Sequence, residues 1–231
     1  MSLVEFKNVY KSYGEKEVLK DVSFTIKKNR IVGLLGKNGM GKSTIIKLIN
    51  GLLTTTKGEV LINGKKPGIE SKKIISYLPE RTYLDKTQKI KTVLKYFCDF
   101  YDNFNLSRAK KLLIDLDLDE ESYINKMSKG MIEKLHLVLV MSRDCDLYVL
   151  DEPLGGVDPA TRDYILDTIL SNFKDGASIL ISTHIIQDIE RVLDDVIFIN
   201  SGKIVLTDTA DNIRDKEGES IDEVFRRLFK C

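Results

Sequence analysis

Two spacing regimes organise the chain. Residues 3–26 alternate apolar and polar positions in two runs, and the second, Val22-Ser23-Phe24-Thr25-Ile26, keeps a strict period of two. That alternation predicts antiparallel strands with one buried face, joined by a turn at Ser12-Tyr13-Gly14. Ile31-Val32-Gly33-Leu34-Leu35 is apolar throughout, the pattern of a parallel strand covered on both sides. Residues 58–64 predict a strand closing on an Asn63-Gly64 turn, and residues 74–78 a short strand stopped by Pro79. From about residue 88 to 145 the period becomes helical: Val93, Leu94, Phe97 and Phe100/Tyr101, then Leu112, Leu113 and Leu116, then Met131, Leu135, Val138 and Leu139. Strands return at Leu147-Tyr148-Val149-Leu150, Ile179-Leu180-Ile181, Val196-Ile197-Phe198-Ile199 and Ile204-Val205-Leu206. A helix is expected from Pro159. Ile221, Val224, Phe225, Leu228 and Phe229 form a closing amphipathic stripe expected to pack on the domain. The pattern predicts an α/β architecture with a helical insertion between strands of one sheet.

Between the strand at 31–35 and the helix after it lies Gly36-Lys37-Asn38-Gly39-Met40-Gly41-Lys42-Ser43-Thr44, a G-x-x-x-x-G-K-[ST] phosphate-binding loop. The strand–loop–helix context aims backbone N–H groups and a helix N-terminus at an anion. Glycines let the backbone wrap closely, Lys42 reaches the outer phosphates, and the Ser43 hydroxyl suits Mg²⁺. The loop specifies a nucleoside triphosphate.

A second element carries chemistry. The apolar run at 147–150 ends in Asp151-Glu152, which delivers two carboxylates to the C-terminal edge of a parallel sheet, where ligands bind in such folds. Asp151 suits Mg²⁺, directly or through water, and Glu152 is placed to polarise an attacking water. Ser182-Thr183-His184 ends the next strand, so His184 is expected at the γ-phosphate. His136, on the apolar-striped helix, is expected to be structural.

Composition narrows the setting. The chain has 231 residues, and its 36 Lys+Arg against 35 Asp+Glu give a net charge of +1, which offers no argument for nucleic acid or an anionic surface as the main partner. Cys98, Cys145 and Cys231 are scattered, as expected of reduced thiols in the cytosol. No apolar run approaches the roughly 20 residues of a membrane helix. A membrane part, if the protein serves one, is expected in another chain.

In their order, the motifs resemble the ATP-binding subunits of ATP-binding cassette (ABC) transporters from about residue 3 to 230. Met127-Ser128-Lys129-Gly130-Met131 stands where that family has L-S-G-G-Q, just before a helix, and Gly155-Gly156-Val157-Asp158 stands as its D-loop. Glu80, after Tyr77-Leu78-Pro79, holds the Q-loop position. Tyr13 matches the aromatic that stacks on adenine, with Tyr10 as its rival. Lys129 and Met131 replace Gly and Gln, and Glu80 replaces Gln. A carboxylate there can still meet Mg²⁺ or water, while Lys129 either adds positive charge near a partner's phosphates or points to solvent.

The resemblance implies a phosphate-loop NTPase fold of the ABC-ATPase kind. One domain spans 1–231: a nucleotide-binding core with a β subdomain (1–87 and 146–231) and a helical subdomain (88–145) carrying the signature. It implies ATP with Mg²⁺ at Ser43, Asp151 and Glu80, and nucleotide contacts from Tyr13, residues 36–44, Ser128, Gly130 and Asp158. Lys42, Glu152 and His184 are then the catalytic residues. The expected partners are a second ATPase subunit, identical or a paralogue, joined head to tail, and a separate transmembrane permease that holds the protein on the inner face of the membrane; no nucleic acid is expected. Two rivals stay open. A soluble ABC-type ATPase acting on ribosomes or nucleic acid is opposed by the single cassette and the near-zero charge. A regulatory nucleotide switch is opposed by Glu152.

Overall fold

A computed structural model describes residues 2–80, 82–155 and 159–229. Strands β1 (Ser2–Tyr13) and β2 (Lys16–Lys27) form an antiparallel hairpin, followed by β3 (Ile31–Leu35) and helix α1 (Lys42–Ile49). Strand β4 (Lys57–Ile62), helix α2 (Ile69–Ile74) and strand β5 (Ile75–Leu78) complete the first third. The insertion holds α3 (Ile90–Phe100), α4 (Leu106–Asp115) and α5 (Lys129–Met141). Then come β6 (Leu147–Asp151), α6 (Pro159–Asn172), β7 (Ser178–Thr183), β8 (Asp195–Asn200), β9 (Lys203–Thr209), α7 (Ala210–Glu217) and α8 (Ile221–Phe229).

Two sheets result. A three-stranded antiparallel sheet runs β2-β1-β4, and a six-stranded one runs β5-β6-β7-β3-β8-β9, parallel except for the antiparallel β8–β9 pair. The order places β3, which leads into the phosphate loop, beside β7, and β7 beside β6, which carries Asp151. The chemistry-bearing strand ends therefore lie along one edge.

Alternation along the parallel strands sorts side chains into two apolar layers. Leu34, Val149, Leu180 and Ile197 face α1 and the antiparallel sheet. Leu35, Leu150, Ile181 and Phe198 face the helices, in one continuous cluster with Phe97 of α3, Leu112 of α4 and Leu135 of α5. The helical insertion thus has no separate core; it packs on the sheet's second face.

Three local readings shift. The first turn is narrower than Ser12-Tyr13-Gly14, because Tyr13 still pairs with Lys16 across the hairpin and Gly14 alone supplies the left-handed φ of 58°. Ile74 ends α2 and does not begin a strand. Both α2 and α7 were absent from the periodic pattern, since each buries almost nothing apolar of its own. The Asn63-Gly64 turn forms as expected, with φ of 47° and 75°.

Candidate active site

The phosphate loop hangs on β3 and is shaped by close packing. A Cβ on Gly36 would sit 2.6 Å from the Ile199 carbonyl of β8, and Gly41, at φ 109°, opens α1 with no room for a side chain beside Leu19. Helix α1 therefore begins on a residue that cannot cap it, and Gly41, Lys42, Ser43 and Thr44 line a cavity of about 360 Å³ together with Glu80 and Glu152. An anion there meets the positive end of a helix.

Lys42 is almost fully buried. Its ammonium donates to the carbonyl oxygens of Gly36 (2.6 Å) and Lys37 (3.3 Å) and lies 3.2 Å from Glu152 Oε1. The last contact is an ion pair without hydrogen-bond alignment, since the buried Oε1 has no aligned donor. The other carboxylate oxygen, Oε2, is 3.0 Å from His184 Nδ1. Lys42, Glu152 and His184 are thus brought into one contact chain.

Strand β7 pins both acids. Ser182 Oγ donates to Asp151 Oδ1 at 2.5 Å, and the Glu152 N–H donates to the Ser182 carbonyl at 3.0 Å. Glu152 holds a left-handed φ of 52°, a conformation that costs a non-glycine residue on the order of 1 kcal/mol. The strain is met by these β7 contacts and turns the Glu152 side chain toward Lys42. Ser182 is a positioning group that the polar triplet signalled but did not single out.

Asp151 is buried, and burial pushes its carboxyl above the ordinary range; Ser182 and Ser43 oppose the shift by hydrogen bonding to the carboxylate, while the charges of Glu80 and Glu152 add to it. A buried carboxylate touching the Ser43 hydroxyl, with two more carboxylates nearby, has negative charge in excess. That is a fitting environment for Mg²⁺, which takes one or two carboxylates and keeps water and phosphate oxygens for its other positions. No group of three or more His, Cys, Asp or Glu forms a metal cage among the described residues.

Other expected residues lie apart. Tyr13 is 46% exposed at the hairpin end, with the Lys11 ammonium 5.3 Å from its ring centre, and it does not line the phosphate cavity; Val18 does. Lys37 sends its ammonium to the Phe229 carbonyl, 3.0 Å away. Ser128 caps α5, its Oγ accepting from the Met131 N–H at 3.3 Å, and neither it nor Gly130 reaches the phosphate cavity of its own chain. Lys129 is exposed, 3.6 Å from Glu133. Asp158, with Gly156 and Val157, lies outside the described residues. His136 is structural as expected: it is buried and hydrogen-bonded to Thr82 Oγ1 at 3.0 Å, and burial lowers its pKa to about 4.

Comparison with known proteins agrees with this fold. A family profile described as "ABC transporter" matches residues 19–155. An ABC transporter ATP-binding protein of Methanocaldococcus jannaschii is 32% identical over 87% of this chain and 76% of its own length. The ABC-type transporter ATP-binding protein EcsA of Bacillus subtilis is 32% identical over 100% of this chain and 98% of its own. A solved ATP-binding subunit of an ABC transporter superposes with a TM-score of 0.89 at 31% identity, covering 99% of this chain and all of that one.

Proposed function

The chain belongs to the family of ABC transporter ATP-binding proteins and is an ATPase, and on that premise we propose that it hydrolyses ATP at a head-to-tail dimer interface to drive transport through a separate membrane subunit. The observation that carries the dimer is Gly130. A Cβ there would meet nothing within 4 Å, so its own fold does not require glycine. Inside a helix glycine costs about 1 kcal/mol relative to alanine. A glycine kept in the first turn of α5 suits close approach by something outside the chain, and the triphosphate of a second subunit fits the positive helix end and the Ser128 hydroxyl.

In this reading Lys42 and the loop amides bind the phosphates, and Ser43 and Asp151, with Glu80 nearby, would hold Mg²⁺, which supplies charge neutralisation when bound. Glu152 orients the attacking water and takes its proton. His184, on the far oxygen of Glu152, contacts the γ-phosphate, and Tyr13 stacks on the base. Ser128 and Gly130 complete the partner's site.

The membrane partner has a candidate seat. Among the described residues no helix is long and apolar enough to cross a membrane. Yet α3 exposes Tyr96 (61%) and Phe100 (64%), stacked with ring centres 5.8 Å apart, and Tyr83 is exposed in the segment after Glu80. Solvated stacked aromatics of this kind suit a partner's apolar segment. The core 1–87 and 146–231 then bears the nucleotide, and 88–145 bears the membrane subunit.

Glu152→Gln tests the reading. The variant should bind ATP, lose turnover by at least about 100-fold, and elute as a dimer only with ATP. A tagged copy should then co-purify from membranes with a polytopic protein. A monomer at all ATP concentrations with wild-type hydrolysis refutes the interface; a dimer that brings down no membrane protein refutes transport.

A further inference from the structure

The phosphate loop is held from a side that catalysis does not use. Helix α8 lies on β8 through three phenylalanines: Phe225 and Phe229 stack with centres 4.3 Å apart, and Phe198 of β8 is 6.0 and 6.2 Å from them. Phe198 is the register partner of Leu35, the residue immediately before Gly36. The last carbonyls of a helix have no partner within it and carry its partial negative charge. In α8 the carbonyl of Phe229 accepts from the ammonium of Lys37, the second residue of the loop, at 3.0 Å, a contact spanning 192 positions. The carbonyl of the same Lys37 accepts from Lys42 at 3.3 Å. Residue 37 is therefore gripped at both ends, by the phosphate-binding lysine on its backbone and by α8 on its side chain.

We propose that α8 is an anchor of the phosphate loop and that Lys37 is the positioning residue through which it sets affinity for ATP. A triphosphate in the loop competes with the Lys37 carbonyl for the Lys42 ammonium. When Lys42 turns to phosphate, residue 37 loses one of its two holds. The Phe229 contact then keeps the loop backbone in its cradle, and the order of α8 and the occupancy of the loop become linked, each raising the other. The inference concerns nucleotide binding alone, so it stands or falls independently of the permease.

Titration calorimetry of the full chain with Mg-ATP is the test. Lys37→Met keeps the aliphatic stem and removes the cation; it should raise the Kd about threefold to fivefold, and Lys37→Arg should restore it to within about twofold of the unsubstituted chain. Phe229→Ala, which unseats α8 but leaves Lys37 in place, should raise the Kd by a similar factor, and the double variant should be no worse than the weaker single. Because Phe229→Ala can fail to fold, hydrogen exchange gives a second readout. ATP should slow exchange across 221–229 in the unsubstituted chain and leave it unchanged in Lys37→Met. An unaltered Kd in Lys37→Met, effects of the two substitutions that multiply, or ATP-independent exchange in α8 each overturns the proposal; multiplying effects assign Lys37 a direct charge on the phosphates.

Discussion

The phosphate cavity and the N-terminus of α5 are both built from a helix start, yet they are finished differently. At the cavity three charged groups find partners within the protein: Lys42 in two carbonyls and Glu152, Asp151 in Ser182, Glu152 in His184. At α5 the Ser128 cap is closed internally, while Gly130 faces open space and the exposed Lys129 meets Glu133. The first surface can exist alone. Under the proposed dimer the second is completed by another subunit, and the difference is then that between a pocket and an interface.

The strongest way to break that comparison is Gly130→Asp. An acid in the first turn suits the α5 dipole and has room, so thermal stability should hold within about 0.5 kcal/mol. The same carboxylate would oppose a partner's triphosphate, and it enters both sites of a symmetric dimer. Dimerisation of the Glu152→Gln background by ATP should weaken about 1,000-fold while ATP binding to the monomer is kept. Sedimentation at graded ATP measures both, and a dimer of undiminished affinity would make α5 an ordinary surface helix.

Much of this contrast was legible in the sequence, and what was missing has physical causes. Strands and long helices announce themselves because burial imposes a period, as in Val22 to Ile26 or in Val93, Leu94 and Phe97 of α3. Helix α7 is nearly all polar, capped by Thr209 and held by Ala210 and Ile213, so no stripe betrays it. Spacing also gave Lys42, Asp151 and Glu152, since one loop and one strand end carry them. It could not give the left-handed turn at Glu152, the duty of Ser182 toward both acids, or the reach of Lys37 to Phe229, because those depend on which strands lie side by side.

A smaller effect sharpens the account of α5. His136 fixes the inner part of that helix to Thr82, and burial holds it neutral down to about pH 4. The unfolded chain protonates it near its ordinary value of about 6.5, so between those values the unfolded state binds more protons, and stability falls as pH drops through the window. The loss should reach no more than about 3 kcal/mol at pH 4, and His136→Leu should flatten it in urea titrations at graded pH. An unchanged slope would move the acid sensitivity to other groups.

The smallest effect belongs to the cavity. Burial makes the charge of Asp151 costly, and an amide of the same shape avoids that cost. Asp151→Asn should therefore raise the melting temperature by about 2–4 °C while abolishing hydrolysis. A lower melting temperature would show that Ser182 and Ser43 more than compensate the buried charge.

The Lys42–Glu152 contact has one more consequence. Under the proposed roles, the cation that grips phosphate also occupies the carboxylate that activates water. With the ammonium 3.2 Å from Oε1, that oxygen is not open to a water. Arrival of a triphosphate draws Lys42 away and releases the base in the same movement. In that reading the site is an interlock: the substrate itself removes the catch from the group that activates the water, so hydrolytic power is confined to moments when there is a phosphate to cleave.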